Sequence, residues 1–117
     1  MTQTVSLWSD RIDERTQVLT LDGECDLPTA LEAGQRIRAA LDTGSTKIIC
    51  DLRGLSSLGF EGLTMLFQGQ NRAKAGRARF ILIRPNAYVW TLFEDSGLDH
   101  AFSTFRDLDD AFAKTPA

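Results

Sequence analysis

The fold is decided by residues 47–63, KIICDLRGLSSLGFEGL, which lead from one apolar segment into another. Residues 47–52 contain an apolar run, residues 48–50, that does not alternate with polar residues, and this is typical of a strand buried on both faces. Leu63, Leu66 and Phe67 then recur at helical spacing, and Gly76 follows the pattern. The stretch therefore predicts a buried strand, a loop and a helix.

The residues before this stretch predict two strands and a helix. Residues 4–8 and 16–22 have strand patterns, and polar, turn-like residues 9–14 separate them. The helix begins near Pro28, either with a capping box of Thr29 and Glu32 or with Asp26 as the cap. Its apolar face is predicted to consist of Leu31, Gly34, Ile37 and Leu41. Gly44 is predicted to end the helix. Because both strands precede any helix, we expect an antiparallel hairpin at one side of the sheet.

The residues after the stretch alternate between strands and helices. Residues 80–83 predict a fully buried strand and residues 101–105 a short one. Asn86 can cap a third helix that stops near Gly97, and Asp107 can cap a last helix. The order β-β-α-β-α-β-α-β-α predicts a single α/β domain over residues 1–117 with a mixed, mostly parallel sheet.

Composition excludes several classes of protein. A chain of 117 residues supports one core, and its net charge of -3 with dispersed Lys and Arg disfavours nucleic-acid binding. No apolar segment approaches the roughly 20 residues of a membrane-spanning helix, and the N-terminus does not resemble a signal peptide. We therefore expect a cytoplasmic protein without direct membrane insertion, in which Cys25 and Cys50 are buried free thiols.

Catalytic signatures are absent from the sequence. There is no GxGxxG, GxxxxGK[ST], HExxH or GxSxG pattern. His100 is the only histidine, and a position in a solvated loop suits it best. The acidic residues Asp107, Asp109 and Asp110 fit helix capping better than calcium binding. We expect no enzyme activity, no metal and no cofactor.

The turn at residues 59–62 is the candidate binding surface. Loops after the carboxyl ends of parallel strands form the functional edge of such sheets. Gly59 and Gly62 let the backbone bend and allow another surface to approach closely. Glu61 lies in the first helical turn, where free N–H groups favour a negative charge.

Four segments together resemble the STAS domain, a family named for sulfate transporters and anti-sigma factor antagonists. Residues 23–26, GECD, resemble its Gly-Glu-Leu-Asp, and residues 51–55, DLRGL, resemble its Asp-Leu-Ser-Gly-Val. Residues 84–89, RPNAYV, resemble its Pro-x-x-x-Val, and residues 96–102, SGLDHAF, resemble its Thr-Gly-Leu-Asp-x-x-Phe. The resemblance covers nearly the whole chain and implies a mixed sheet with helices mainly on one face.

The resemblance also implies a partner and a switch. Soluble members of the family bind an anti-sigma factor that is itself a serine kinase, and this frees a sigma factor. Phosphorylation of a serine at the start of the second helix breaks the complex, because about two negative charges enter a protein interface. The implied partner is therefore an anti-sigma factor kinase.

This chain departs from the family at the switch itself. The family has Asp-Ser-Ser-Gly-Leu where this chain has residues 59–63, GFEGL, and the alignment from Asp51 needs no gap. The phosphoserine position falls on Phe60, its acidic neighbour on Gly59 and the second serine on Glu61. Phosphorylation in the family manner is therefore not expected at Phe60, which has no hydroxyl.

Three interpretations of the departure remain open. In the first, the chain holds its partner constitutively, with Phe60 as an exposed aromatic anchor. In the second, Ser56 or Ser57 is phosphorylated instead, which needs a shifted loop. In the third, Glu61 imitates the phosphate with one negative charge. The alternative to a binding role is that Phe60 packs inward as a hydrophobic residue at the helix start. The alternative to phosphorylation is that Ser56 and Ser57 only form hydrogen bonds within the loop. By resemblance, the loop of Asp26 and Thr29 lies beside the switch loop.

The expected function is that of a regulatory protein-binding module. The alternatives are an accessory subunit of a transporter or of a multi-protein scaffold, and a small-ligand or nucleotide sensor, for which no motif is present. Weak homodimer formation is compatible with each. The predicted partner-binding residues are Glu24, Asp26, Thr29, Ser57, Gly59, Phe60, Glu61 and Gly62, with Ser56 and Ser57 as phosphorylation candidates.

Overall fold

The computed structural model describes residues 5–114, except for the side chains of residues 5, 6 and 8. Within this range the strands and helices follow the predicted order. The strands are β1 (Val5–Asp13), β2 (Thr16–Cys25), β3 (Lys47–Leu58), β4 (Arg79–Ile83) and β5 (Ser103–Phe105). The helices are α1 (Leu27–Asp42), α2 (Phe60–Ala75), α3 (Ala87–Asp95) and α4 (Leu108–Lys114).

The strands form one mixed sheet in the order β1-β2-β3-β4-β5. β1 is antiparallel to β2, whereas β2, β3, β4 and β5 are parallel to their neighbours. The predicted hairpin at one side of a mostly parallel sheet is therefore confirmed. All helix-connected strands point their carboxyl ends toward the same edge.

Several predicted strand boundaries are wrong. β2 ends at Cys25 instead of residue 22, β5 begins at Ser103 instead of residue 101, and the differences in β1 and β3 are larger. Residues 9–13 belong to β1, with Ser9 opposite Leu19, and the turn is formed by Glu14 and Arg15. β3 continues to Leu58, so the segment that we expected to be a loop is mostly strand. In both cases polar residues lie in a strand with exposed side chains, and they lack the apolar alternation that predicts one.

The core has two parts because β3 is buried on both faces. Ile48, Cys50 and Leu52 pack on the face covered by α1, α2 and α3, whereas Ile49 packs on the face that α4 covers with Ala111. This explains why the apolar run at residues 48–50 does not alternate with polar residues. The expectation of helices mainly on one face is confirmed.

Polar side chains cap the later helices as predicted. Asn86 accepts the N–H of Val89 at 2.9 Å, and Asp107 accepts the N–H of Asp110 at 2.8 Å. The Asn86 amide also donates to the carbonyl of Leu55 at 2.9 Å, which fixes the start of α3 against β3. α3 is thus held against β3, the strand that leads to the candidate site.

Candidate functional site

The carboxyl ends of β2 and β3 bring the two predicted binding segments side by side. Glu24 lies opposite Ser57 in this parallel pair, and Cys25 lies opposite Leu58. Only Asp26 separates β2 from α1, and only Gly59 separates β3 from α2. We name residues 24–29 and 56–62 together the strand-end surface.

Asp26 is the N-cap of α1. Its carboxylate oxygen Oδ1 accepts the N–H of Thr29 at 3.1 Å. This backbone hydrogen bond lowers the pKa of Asp26, because it favours the charged carboxylate. The predicted capping box is wrong, since Glu32 instead forms an ion pair with Arg36 at 2.7 Å. Asp26 remains exposed at the strand-end surface.

Replacement of Asp26 with alanine is expected to lower the urea midpoint of unfolding at pH 7, because α1 loses its cap. The folded-state pKa of Asp26 is lowered, so its contribution is present above the unfolded pKa and disappears as pH falls through the folded pKa. Urea midpoints at neutral and acidic pH should therefore converge. Glu24→Ala, an exposed acidic neighbour without a cap role, is the control. A midpoint difference that persists unchanged in acid would contradict the capping role.

Phe60 is the first residue of α2, and its side chain is 81% exposed. The alternative in which Phe60 packs inward is therefore wrong. Gly59 precedes it as the N-cap with φ -87° and ψ -176°, an extended backbone that any residue can adopt. The chain bends at Gly59 between β3 and α2, as expected, but the bend does not require a glycine. Instead, its lack of a side chain leaves the helix start without a side-chain cap and with Phe60 projecting beside it.

Glu61 follows in the first turn of α2 and is exposed. Its Oε1 atom would lie 3.0 Å from a Cβ atom added at Gly59, so the carboxylate turns back toward the helix start. A negative charge is favourable there because of the free N–H groups. The position supplies one fixed negative charge beside Phe60.

Gly62 is buried, unlike its neighbours in the turn. A Cβ atom at this position would collide with Cδ1 of Leu58 and would lie 3.2 Å from Sγ of Cys25. The close approach that we expected from a partner is therefore made by the same chain. Gly62 allows the first turn of α2 to pack on the ends of β2 and β3, and so it fixes the direction in which Phe60 projects.

Ser56 and Ser57 lie in β3 and are exposed. The strand pairing is irregular here, because Gly23 lies opposite Leu55 while Glu24 lies opposite Ser57. Ser56 is thus the additional residue of the irregularity. The expectation that these serines occupy a loop is wrong.

A groove of about 390 Å³ runs between α1 and α2 beside Phe60. Leu27 and Leu31 line it with 51% and 60% of their surfaces exposed. Leu31 was predicted on the buried face of α1, but that face consists of Ala30, Ala33, Ile37 and Ala40. The alanine spacing was the signal that could have shown which face is buried, since small residues let α1 pack closely on the sheet.

The thiols near the strand-end surface are not nucleophilic. Cys25 and Cys50 are buried and free, as predicted. Burial, together with the nearby carboxylates of Asp26 and Glu61, raises the pKa of Cys25 to about 11. Burial raises the pKa of Cys50 to about 12. Both thiols stay neutral at physiological pH.

The other candidate groups have structural or solvated positions. Buried Asp51 accepts from Nε and Nη2 of Arg53 at 3.0 and 2.8 Å, which gives the strand exit a local ion pair. His100 is exposed and lies 3.4 Å from Asp99, as expected for a loop histidine. In the part of the chain that the structure describes, no group of three His, Cys, Asp or Glu residues is arranged to hold a metal ion. None of its helices has the length and apolar character to span a membrane.

Comparison with known proteins gives a family match over most of the chain. The model of the family described as "Mlab, STAS domain" matches residues 8–108. A sequence comparison with curated proteins finds no match.

Several solved structures are similar over nearly their whole length. The anti-sigma factor antagonist SpoIIAA in its unphosphorylated form has a TM-score of 0.81 and 24% identity, covering 93% of this chain and 95% of that chain. An anti-sigma factor antagonist from Mycobacterium paratuberculosis has a TM-score of 0.79 and 24% identity, covering 93% and 92%. The phosphorylated form of SpoIIAA from Bacillus has a TM-score of 0.74 and 22% identity, covering 93% and 98%. Identities of this size show a shared fold.

Proposed function

Since the chain belongs to the STAS domain family, we propose that it is a regulatory protein-binding module of the anti-sigma factor antagonist kind. Its partner is an anti-sigma factor with serine kinase character, which it binds in the cytoplasm through the strand-end surface. The chain itself carries out no catalysis. It binds without phosphorylation of a serine at the start of α2.

The exposed side chain of Phe60 is the observation that carries this proposal. An aromatic ring that is 81% exposed keeps apolar surface in water, and a partner can remove that surface on binding. The ring lies at the helix start where the resemblance puts the family's phosphoserine. A residue without a hydroxyl at this place favours constitutive binding over a switch.

The named relatives support the class of partner. Two of the similar structures are described as anti-sigma factor antagonists, and SpoIIAA has been solved with and without phosphate. These proteins share the fold of this chain. The antagonist function of this chain is our inference from that likeness together with Phe60.

The positions of the serines argue against a displaced switch. Ser57 lies opposite Glu24 on the neighbouring strand, about 4.8 Å away in a paired sheet. A phosphate on Ser57 would therefore face a carboxylate, which disfavours the modified state. Neither Ser56 nor Ser57 begins a helix, where free N–H groups would stabilise a phosphate.

The test is whether the complex survives ATP. The chain is used as bait in a lysate of its source organism, the co-purified partner is retained, and the complex is incubated with Mg-ATP. We expect the intact mass of the chain to stay unchanged and the complex to elute together. The Phe60→Ser variant is the control, because it offers a kinase a hydroxyl at the family position.

A phosphate mapped to Ser56 or Ser57, with release of the partner, would refute constitutive binding. Phosphorylation of the Phe60→Ser variant alone would support both the kinase partner and the loss of the switch in the wild-type chain. The two outcomes are distinguished by which residue carries the phosphate and by whether the wild-type chain is modified.

A second candidate function is that of an accessory subunit in a transporter or a multi-protein scaffold. The same exposed Phe60 favours it, because a surface that cannot be phosphorylated suits permanent docking. A partner that binds stably but transfers no phosphate to the Phe60→Ser variant would favour this candidate.

A further inference from the structure

The groove between α1 and α2 is bordered by one stripe of residues from each helix. On α1 the stripe contains Leu27, Leu31 and Arg38. On α2 it contains Phe60, Gln68 and Arg72. Spacings of four, seven and eight residues, close to whole numbers of helical turns, keep each stripe on one helix face. The groove therefore follows both helices from their starts to near their ends.

Both stripes change from apolar to basic side chains between the start and the end of their helices. At the helix starts the groove is apolar, with Leu27, Leu31 and Phe60 all exposed, and Glu61 lies beside Phe60. At the far end lie Arg38 and Arg72, which are exposed and form no ion pair with any residue of the described chain. The groove thus runs from an apolar, acidic end to a basic end.

A glycine keeps the middle of the groove open. Gly34 lines the groove, and a Cβ atom at this position would meet only Cγ of Met65, at an ordinary distance of 3.8 Å. A Cβ atom at position 34 therefore fits without strain, and a longer side chain built on it would extend into the groove. This gives a variant that blocks the space without harming the fold.

Building on the proposed function, we propose that this groove binds one amphipathic helix of the partner protein. The distance from residue 27 to residue 38 corresponds to about 16 Å of helix, which matches about 11 residues of a bound helix. Stripes that recur at whole helical turns on both walls suit the ridges of a third helix better than they suit an extended peptide.

The charges of the groove fix the direction of that helix. Its N-terminal end, which is positively polarised, lies at Glu61. Its C-terminal end carries acidic side chains that pair with Arg38 and Arg72. The bound helix therefore runs parallel to α1 and α2, with its apolar side chains on Leu27, Leu31 and Phe60.

The probe is a stapled, fluorescein-labelled helical peptide of about 12 residues. It carries leucines along one face, a lysine in its first turn and glutamates in its last turn. We expect saturable binding, with amide shifts of the 15N-labelled chain confined to the groove. A peptide of the same composition, with lysine and glutamates exchanged between its ends, should bind about tenfold more weakly.

Matched variants of the chain test the groove itself. Arg38→Glu combined with Arg72→Glu should weaken the peptide about tenfold. Lys74→Glu should leave its affinity unchanged, because Lys74 also lies in the last turn of α2 but outside this groove. Gly34→Leu should abolish binding while the melting temperature stays at or above that of the wild type, since leucine favours a helix more than glycine does.

No binding to the wild type, equal binding of the two peptides, or full binding to Gly34→Leu would overturn the groove proposal. Retention of the lysate partner by the same variants distinguishes failure of the groove proposal from failure of the proposed function. A partner lost with Phe60→Ala but retained by the Gly34→Leu and double arginine variants would refute the groove and leave the proposed function standing. A partner retained equally by all of them, Phe60→Ala included, would refute the proposed function itself.

Discussion

Replacement of Gly62 with valine is expected to lower the free energy of unfolding by about 2–3 kcal/mol. The position is buried, and even a Cβ atom would collide with the side chain of Leu58, itself only 6% exposed. Cys25 closes the other side, so Leu58 has little room to move. Urea unfolding at pH 7 measures the loss. The first turn of α2 should shift with it and move Phe60.

Gly59→Ser is the matched control, because it changes a glycine three residues away in the same turn. The backbone of Gly59 is extended and its surroundings are exposed, so serine fits there once the exposed carboxylate of Glu61 moves slightly aside, and it can cap α2. We expect this variant to be as stable as the wild type or more so. Leu58→Ala should partly relieve Gly62→Val, so that the double variant loses less than the sum of the single losses. Additive losses would refute the proposed contact.

The order of strands and helices could be predicted because the central elements are strongly patterned. The apolar run at residues 48–50 predicted a strand buried on both faces, and helices do cover both sides of the sheet at β3. Gly44, with φ of 101°, and Gly97, with φ of 74°, also ended helices where predicted. These residues carry local signals that do not depend on distant contacts.

The strand ends could not be predicted, because their signals come from pairing partners. In β3, Leu55 and Leu58 are both buried although they are three residues apart, since an irregularity in the pairing with β2 inserts Ser56 between them. Such a spacing destroys the two-residue period that marks a strand. In β1, polar residues of an edge strand leave no pattern at all.

The location of the candidate site was predicted, but its extent was not. The turn at residues 59–62 follows from its place between a buried strand and a helix. The groove depends on which face of α1 meets the sheet, and both a leucine stripe and an alanine stripe were present. Only the packing of α1 against α2 and the sheet decides that the alanines are buried and that Leu27 and Leu31 join Phe60.

Replacement of Phe60 with alanine is expected to weaken binding of the co-purified partner by about 2 kcal/mol, or roughly 30-fold in Kd. The ring is 81% exposed in the free chain, so its apolar surface is available to be removed from water on binding. The same exposure means that the free energy of unfolding should change by less than about 0.5 kcal/mol. Titration calorimetry and urea unfolding measure the two quantities separately.

Ile12→Ala is the matched control, because Ile12 is also an exposed apolar residue, with 52% of its surface exposed. It lies near the β1–β2 turn, at the end of the sheet opposite the strand-end surface. Its loss should leave Kd unchanged. Salt gives a further distinction: the contribution of the Phe60 ring should persist in high salt, whereas that of Arg38 and Arg72 should be screened. An unchanged Kd for Phe60→Ala would mean that the partner does not cover the start of α2. A loss of stability equal to the loss of binding would mean that Phe60 acts through the fold, which its exposure argues against.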